Sequence, residues 1–167
     1  MDTYYTLAAP SEASFTEKRS RFLSFAIPVE SREQVREHVK RFSKEHFDAR
    51  HVCYAFVLGA DRSDFLANDN GEPSGTAGKP ILGQINSFNL TNLLIVVVRY
   101  FGGVKLGTPG LIAAYREAAR QAIENGEIIE CHREETISVT FPYLVMNDVM
   151  KIAKAHGVKV VEQSFDN

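Results

Sequence analysis

The spacing of hydrophobic residues changes several times along the chain and predicts a mixture of strands and helices. Alternating apolar and polar positions predict two strands, over 14–18 and 21–27. Ser31 and Gln34 then have the spacing of a capping box, which predicts a helix over 32–46. One face of this helix is apolar and consists of Val35, Val39, Phe42 and His46. The opposite face carries a basic row, Arg32, Arg36, Lys40 and Lys44.

The middle of the chain alternates between apolar runs and glycine-rich loops. Short apolar runs predict strands over 52–58, 65–67 and 93–100. The last of these is apolar on both faces, so we expect it at the centre of a covered sheet. Helices are predicted over 80–88 and 111–124.

The second of these helices has signals at both ends. Thr108 is its predicted N-cap, and Pro109 its first helical residue, where a missing N–H costs nothing. Asn125 and Gly126 predict a left-handed C-terminal end, followed by a strand that begins at Ile128.

Charged residues over 130–135 separate two apolar segments and mark a boundary. We predict a main domain over residues 1–132 and a second segment over 133–167. The pattern of this segment is β-α-β, with strands over 136–141 and 158–161 around a helix over 144–155. About 30 residues cannot close a hydrophobic core alone, so we expect the segment to pack on the main domain, to pair with another chain or to be the start of a longer stretch of protein.

Composition narrows the class of protein. Of the 167 residues, 44% are hydrophobic and 24% are charged, which excludes wholesale disorder. A net charge of −2 excludes nucleic-acid binding by a strongly basic chain, so any surface for polyanions must be local. Cys53 and Cys131 fit neither a disulfide framework nor a zinc site. With no signal peptide and no apolar stretch of about 20 residues, we expect a cytoplasmic protein without a membrane partner.

Two glycine-rich loops are the main candidate binding features. A loop of small residues before a helix exposes backbone N–H groups and the positive helix end, which favours anions. The predicted anion- or nucleic-acid-binding surface consists of Gly75, Thr76, Gly78, Lys79, Arg99, Gly102, Gly103, Lys105, Gly107 and Thr108. In the alternative interpretation, the glycines serve only tight turns and close helix–sheet packing.

A second polar group allows an acid–base interpretation. Its members are His51, Asp69, Glu72 and Ser74. Loop carboxylates and histidines can act as general bases, whereas Asp69 can equally form a turn with its own backbone. Cys53 lies in an apolar run and is expected to be an inert core thiol. We find no spacing typical of metal ligands or of nucleotide cofactors, so we assign no catalytic residue, no metal and no cofactor.

The basic row of the first helix also has two interpretations. Glutamates interleave with it, which favours a solvated and self-paired helix face. Together with Lys18, Arg19 and Arg21, the row could instead form a surface that contacts phosphates or a protein partner.

Three long stretches resemble one known family. They are RHVCYA over 50–55, NDNGEPSGTAGKP over 68–80 and VVVRYFGGVKLGT over 96–108. These ordered motifs are similar to the signature of the IMPACT/YigZ family, and the resemblance covers residues 10–130. The segment that begins at Thr136 resembles the start of that family's second domain, a ferredoxin-like module similar to a domain of elongation factor G. Only the first β-α-β of that module is expected here, so the resemblance implies that the module is incomplete.

The resemblance implies a fold and a role. The implied fold is α+β, of the type of ribosomal protein S5 domain 2, with a mixed or antiparallel sheet and helices packed on one face. The eukaryotic member of the family is implicated in regulating translation initiation through protein partners. Nucleic-acid or ribosome binding is the usual proposal for the bacterial members.

The sequence departs from the family's pattern in three places. Asn70 follows Asp69 where the family has a second acid, which weakens a two-carboxylate metal or hydrolase site. Pro109 replaces a glycine and removes one N–H donor, and Ala113 replaces a basic residue.

Three functional hypotheses follow. The first is a non-catalytic regulator of translation that binds RNA, the ribosome or a translation-factor partner through the glycine loops. The second is a small hydrolase that uses Asp69, Glu72 or His51. The third is a protein–protein regulator that uses the basic row of the first helix. We take the first as the main hypothesis.

Overall fold

Residues 2–166 form a five-stranded antiparallel sheet, a separate two-stranded ladder and four α-helices. The structure is a computed structural model that describes residues 2–166. The strands are β1 Thr3–Leu7, β2 Ser11–Glu17, β3 Ser20–Pro28, β4 His51–Leu58, β5 Asp64–Asn68, β6 Leu93–Tyr100 and β7 Ile128–His132. The helices are α1 Arg32–Glu45, α2 Gly78–Ser87, α3 Gly107–Glu124 and α4 Met146–Ala155.

Strand β6 lies at the centre of the main sheet, as its apolar sequence predicts. The strand order is β2-β3-β6-β4-β5, and every pairing is antiparallel. Seven of the eight residues of β6 are buried, because both faces of the strand are covered. The register places Arg99 near the end of β6, opposite Phe22 on one side and His51 on the other. The polar cluster described below is built around this arginine.

The sheet separates two apolar layers. One layer lies under α2 and α3 and includes Phe22, Cys53, Ala55, Ile95, Val97, Ile81, Ile85, Tyr115 and Ala118. The other lies under α1 and includes Ile27, Val52, Phe56, Leu94, Val96, Val35 and Phe42. The α+β class is therefore confirmed, but helices cover both faces, whereas the resemblance implied one face. The alternation of apolar side chains along β4 and β6 supplies both layers.

Helix α1 begins where its capping box predicts. The Ser31 side chain accepts a hydrogen bond from the Gln34 N–H at 3.2 Å, and the Gln34 side chain accepts one from the Glu30 N–H at 2.8 Å. The helix ends at Glu45, with His46 as its C-cap. Val35 and Phe42 of its predicted apolar face are buried.

Helix α3 differs from the prediction at both ends. It begins at Gly107, so Leu106 occupies the N-cap position, and Thr108 and Pro109 lie inside the first turn. The helix therefore starts two residues before the predicted first helical residue Pro109, directly after Leu106, which is buried in the core. At the other end Asn125 has a φ of −77°, so the predicted left-handed end is wrong. Gly126 instead allows close packing, because a Cβ there would lie 2.9 Å from Ser11 Oγ.

A ladder between β1 and β7 joins the two ends of the main domain. Thr3 pairs with His132 and Leu7 with Ile128. The sequence patterns predicted only the beginning of β7 and did not identify β1. Leu7 is 1% exposed and belongs to the layer under α2 and α3, so the ladder anchors the start of the chain in the core.

Residues from Glu134 onward form a second unit, separate from the unit that ends at Arg133. The predicted helix is present as a 3₁₀ turn, Tyr143–Val145, followed by α4. The strands predicted over 136–141 and 158–161 are wrong, because neither segment pairs with a strand. An unpaired strand leaves its backbone N–H and C=O groups without partners, so an alternating pattern alone does not form one.

Within residues 2–166, none of the helices is both long and apolar enough to span a bilayer.

Candidate functional site

The first glycine loop already holds an anion, the carboxylate of its own Asp69. Oδ2 of Asp69 accepts a hydrogen bond from the Gly75 N–H at 2.9 Å. Oδ1 accepts bonds from the N–H groups of Ala77 at 3.1 Å and Gly78 at 2.8 Å. Burial opposes ionisation, but these three donors outweigh it and lower the pKa of Asp69. The amides of Gly75 and Gly78 are therefore not free for an external anion, contrary to the prediction.

The remaining predicted residues of this loop differ in accessibility. Thr76 is buried, and its hydroxyl donates to the Pro73 carbonyl at 2.6 Å. Ser74 is exposed, and the described residues offer its side chain no hydrogen-bond partner. Lys79 is exposed and points into a groove between α2 and α3. Of the predicted anion-binding residues in this loop, only Lys79 offers a free polar group.

A buried ion pair joins the first loop to the central strand. Arg99 Nη1 lies 2.6 Å from Glu72 Oε1, and both side chains are almost fully buried. Glu72 Oε1 also accepts a hydrogen bond from the Tyr115 hydroxyl at 2.8 Å, which links the pair to α3. On its other side Arg99 donates to Ser20 Oγ at 3.3 Å. Arg99 is therefore committed to an internal carboxylate and does not act as the surface cation that the sequence predicted.

His51 lies at the edge of this cluster. Its Nδ1 is 2.7 Å from the carbonyl oxygen of Asn70, and since a carbonyl only accepts, Nδ1 carries the proton. Its Nε2 lies 3.6 Å from Glu72 Oε1, so protonation of the ring would create a second ion pair with this carboxylate. The structure thus brings together His51 and Glu72 of the predicted polar site. Asp69 is held separately by the loop amides.

Cys53 is buried beneath the same loop. Its thiol donates to the Asp69 carbonyl at 3.0 Å and lies 3.5 Å from the Tyr115 hydroxyl. Burial raises the pKa of Cys53 to about 12, and burial likewise raises the pKa of Tyr115. A thiol that stays protonated at neutral pH is a poor nucleophile, in agreement with the expected inert core thiol.

The second glycine loop is more accessible. Gly102 is an exception: an added Cβ would lie 2.0 Å from the Arg19 backbone oxygen, so this glycine permits close packing. Gly103, Lys105, Gly107 and Thr108 are exposed. No side chain caps α3, and in the part of the chain described here the N–H groups of Gly107 and Thr108 have no hydrogen-bond partner. The start of α3 therefore presents two free donors next to a lysine.

The sequence did not reveal two residues of the buried cluster, Tyr115 and Ser20. Tyr115 and Ser20 lie 43 and 79 positions from their polar partners Glu72 and Arg99. Tyr115 occupies a normal apolar position on the inner face of α3, and nothing in its local pattern marks the hydroxyl. The pairing of Glu72 with Arg99 likewise depends on how the loop folds back over β6.

The described residues include no group of three or more His, Cys, Asp or Glu side chains that could hold a metal ion.

Comparisons with known proteins identify the family. The Impact N-terminal domain matches residues 18–123. The chain is 35% identical to the IMPACT family member YvyE of Bacillus subtilis over 130 residues, which cover 78% of this chain and 60% of YvyE. It is 40% identical to the IMPACT family member YigZ of Escherichia coli over 125 residues, which cover 74% of this chain and 61% of YigZ.

A solved structure is similar over nearly the whole chain. It is a crystal structure described as that of a hypothetical protein, with a TM-score of 0.79 and 30% identity, and the match covers 99% of this chain and 82% of that one. The chain spans about 60% of the length of YvyE and YigZ. Because the domain match covers more than half of the chain, and because all three long motifs lie within it, the chain belongs to the IMPACT family.

Proposed function

We propose that this protein is a non-catalytic regulator associated with translation that binds a phosphate-bearing partner, RNA or the ribosome, through the start of α3. Membership of the IMPACT family supports the link to translation, because the eukaryotic member of the family is implicated in that process. The antiparallel sheet with helices is consistent with a fold like that of ribosomal protein S5 domain 2. The location that fits this role is the cytoplasm, where translation takes place.

The binding surface that we propose consists of Gly103, Lys105, Gly107 and Thr108, and we call it the second-loop surface. The observation that carries the proposal is the uncapped start of α3, an 18-residue helix without an acidic residue in its first turn. The free N–H groups of Gly107 and Thr108 and the positive end of the helix dipole favour a phosphate oxygen. Lys105 adds a mobile cation beside them.

The first loop plays a supporting role in this proposal. Its amides hold Asp69, and Arg99 holds Glu72, so neither is available to a partner. We propose that both contacts fix the backbone from which the second-loop surface projects.

Filter binding of a labelled RNA hairpin across a salt series tests the proposal. We expect the logarithm of the association constant to fall linearly with the logarithm of salt concentration. Lys105→Ala should weaken binding and reduce the slope of this line by about 1, the effect of one lost phosphate contact. Lys44→Ala is a matched control, because Lys44 is also an exposed lysine but lies in the last turn of α1.

Two results would contradict the proposal. One is an affinity that does not change with salt, which would exclude phosphate contacts. The other is an equal loss of affinity in the Lys105→Ala and Lys44→Ala variants, which would indicate diffuse attraction rather than a defined surface.

A protein–protein regulator that uses α1 is a second candidate. Arg36 and Lys40 are exposed, and in the described part of the chain neither forms an ion pair. If α1 binds the partner, Arg36→Glu combined with Lys40→Glu should abolish co-purification of a translation-factor partner, whereas Lys105→Ala should not. The opposite result would favour the second-loop surface.

The hydrolase alternative has weaker support. Glu72 is buried against Arg99 and Tyr115, and Asp69 accepts three backbone hydrogen bonds, so neither carboxylate is free to act as a base. Turnover in a screen of phosphate esters and peptides that is lost in Glu72→Gln, while thermal unfolding shows that the variant is still folded at the assay temperature, would revive this alternative.

A further inference from the structure

A groove of about 340 Å³ runs between α2 and α3. Residues one helical turn apart form each wall, Lys79 and Gly83 on α2 and Ile112 and Arg116 on α3. Half-buried Ile112 supplies apolar surface between the polar side chains, and the buried Pro80 lies at the base of the groove. The volume matches the lower end of the range for ligand sites in proteins.

The charge of the groove has a single sign. Lys79 and Arg116 are exposed, and within residues 2–166 neither side chain forms an ion pair. None of the described residues that line the groove is acidic. Lys79 helps to lower the pKa of Asp69 through space, but this carboxylate is held by backbone amides and makes no ion pair with the lysine. The groove therefore presents two cations that form no ion pair within the described residues.

Gly83 is an unusual residue for its position. It lies inside α2, where glycine disfavours the helix, and it does not have a positive φ. A Cβ added at Gly83 would meet no heavy atom of the described structure within 4 Å. Neither internal packing nor backbone geometry requires the glycine, but it leaves the middle of the groove open to an approaching chain.

We propose that this groove binds a short acidic peptide segment of a protein partner, with an aliphatic side chain seated over Gly83. The two cations select Asp or Glu on either side of an apolar residue, and Ile112 contacts the apolar residue itself. A nucleic acid fits less well, because the described lining residues include no aromatic ring on which a base could stack. This site goes beyond the proposed function, since it shares no residue with the second-loop surface and recognises a different class of partner.

Selection from a phage-displayed random peptide library against the full chain tests the proposal. We expect the selected peptides to be rich in Asp and Glu around an aliphatic residue. Fluorescence polarisation of a labelled selected peptide should show about tenfold weaker binding to Lys79→Glu/Arg116→Glu. Gly83→Leu, which fills the groove without changing charge, should weaken binding to a similar extent.

Matched controls separate this site from the others. Arg36→Glu/Lys40→Glu changes net charge by the same amount on α1 and should bind the peptide as the wild type does. Lys105→Ala should also leave peptide binding unchanged, so failure of the RNA experiment and failure of this one are distinguishable. Thermal unfolding of each variant checks that it is folded.

Three results would overturn the proposal. Selection could yield no acidic peptides, or the selected peptide could bind Gly83→Leu as tightly as the wild type. In the third case, a single-stranded oligouridine binds in a manner that depends on Lys79 and Arg116 while acidic peptides do not, which would assign the groove to nucleic acid.

Discussion

Glu72 and Arg99 are the residues on which the arrangement of the first loop depends most. Their side chains are 3% and 6% exposed, and each also bonds to a neighbour in another element, Tyr115 in α3 and Ser20 in β3. A buried charge that loses its partner keeps its full desolvation cost. We therefore expect the ion pair to stabilise the contacts between the first loop, the sheet and α3.

We expect Glu72→Gln to lower the free energy of unfolding by about 3–5 kcal/mol, because the Arg99 guanidinium would remain buried without a counter-charge. Urea denaturation provides the measurement. The matched control is Glu124→Gln, which removes the exposed partner of Arg120 at 2.7 Å and should cost less than about 1 kcal/mol. Equal effects of the two substitutions would contradict this account of the pair.

Asp69 makes stability depend on pH in a defined direction. Its folded pKa is lowered, so its contribution is fully present above the ordinary aspartate pKa of about 3.9 and is lost as pH falls through the folded value. Asp69→Asn should cost about 2 kcal/mol at pH 7 and much less at about pH 2. Urea denaturation at both pH values measures the difference. An equal loss of unfolding free energy at the two pH values would contradict charge-assisted hydrogen bonds to Asp69.

At the scale of elements, two glycines have opposite roles. Gly102 in the second loop packs against the Arg19 backbone, and Gly83 in α2 faces open space. Glycine is the only residue that fits the first position, but any residue that favours helices fits the second.

Alanine substitution distinguishes these roles. Gly102→Ala should lower the free energy of unfolding by at least about 2 kcal/mol, because its Cβ would overlap backbone atoms that cannot move aside. Gly83→Ala should raise it by about 0.5–1 kcal/mol through helix propensity alone. Chemical denaturation of both variants measures these changes in the free energy of unfolding. Destabilisation by Gly83→Ala would show that the glycine has a structural role after all.

Local sequence signals correctly predicted those elements whose position is determined by residues adjacent in the sequence. The Ser31–Gln34 capping box located the start of α1, and the apolar run of β6 located the central strand. The prediction was wrong where the position of an element depends on a contact between residues that are distant in the sequence. The burial of Leu106 starts α3 early, and β1 exists only because β7 lies beside it. The contact between Glu72 and Arg99 could not be predicted for the same reason, because the two residues meet only after the first loop folds over β6.

At the scale of the whole molecule, the sheet of the main domain separates its candidate binding surfaces. The basic row of α1 lies on one face, and the groove between α2 and α3 lies on the other. The two faces are therefore able to bind different partners at the same time. Charge reversal on α1 serves as a control for the groove for this reason.

The ladder between β1 and β7 closes the main domain, and Leu7 is the residue that tests its importance. Leu7→Ala should lower the free energy of unfolding by about 2–5 kcal/mol, because Leu7 is buried in the layer under α2 and α3. Its ladder partner Ile128 is 44% exposed, so Ile128→Ala is the matched control and should have a much smaller effect. Equal losses in urea denaturation would show that strand pairing matters more than core anchoring.

The antiparallel register of this ladder has a mechanical consequence. Thr3 and His132 form its outermost pair, so the chain enters and leaves the main domain at the same point. Tension applied between residues 2 and 133 would break the pairs of the ladder one at a time, starting at the outermost pair, rather than load all five pairs together. The Tyr5 carbonyl also accepts a hydrogen bond from the Thr91 N–H at 2.9 Å, so we expect the pairs before Tyr5 to open first and the rest of β1 to resist.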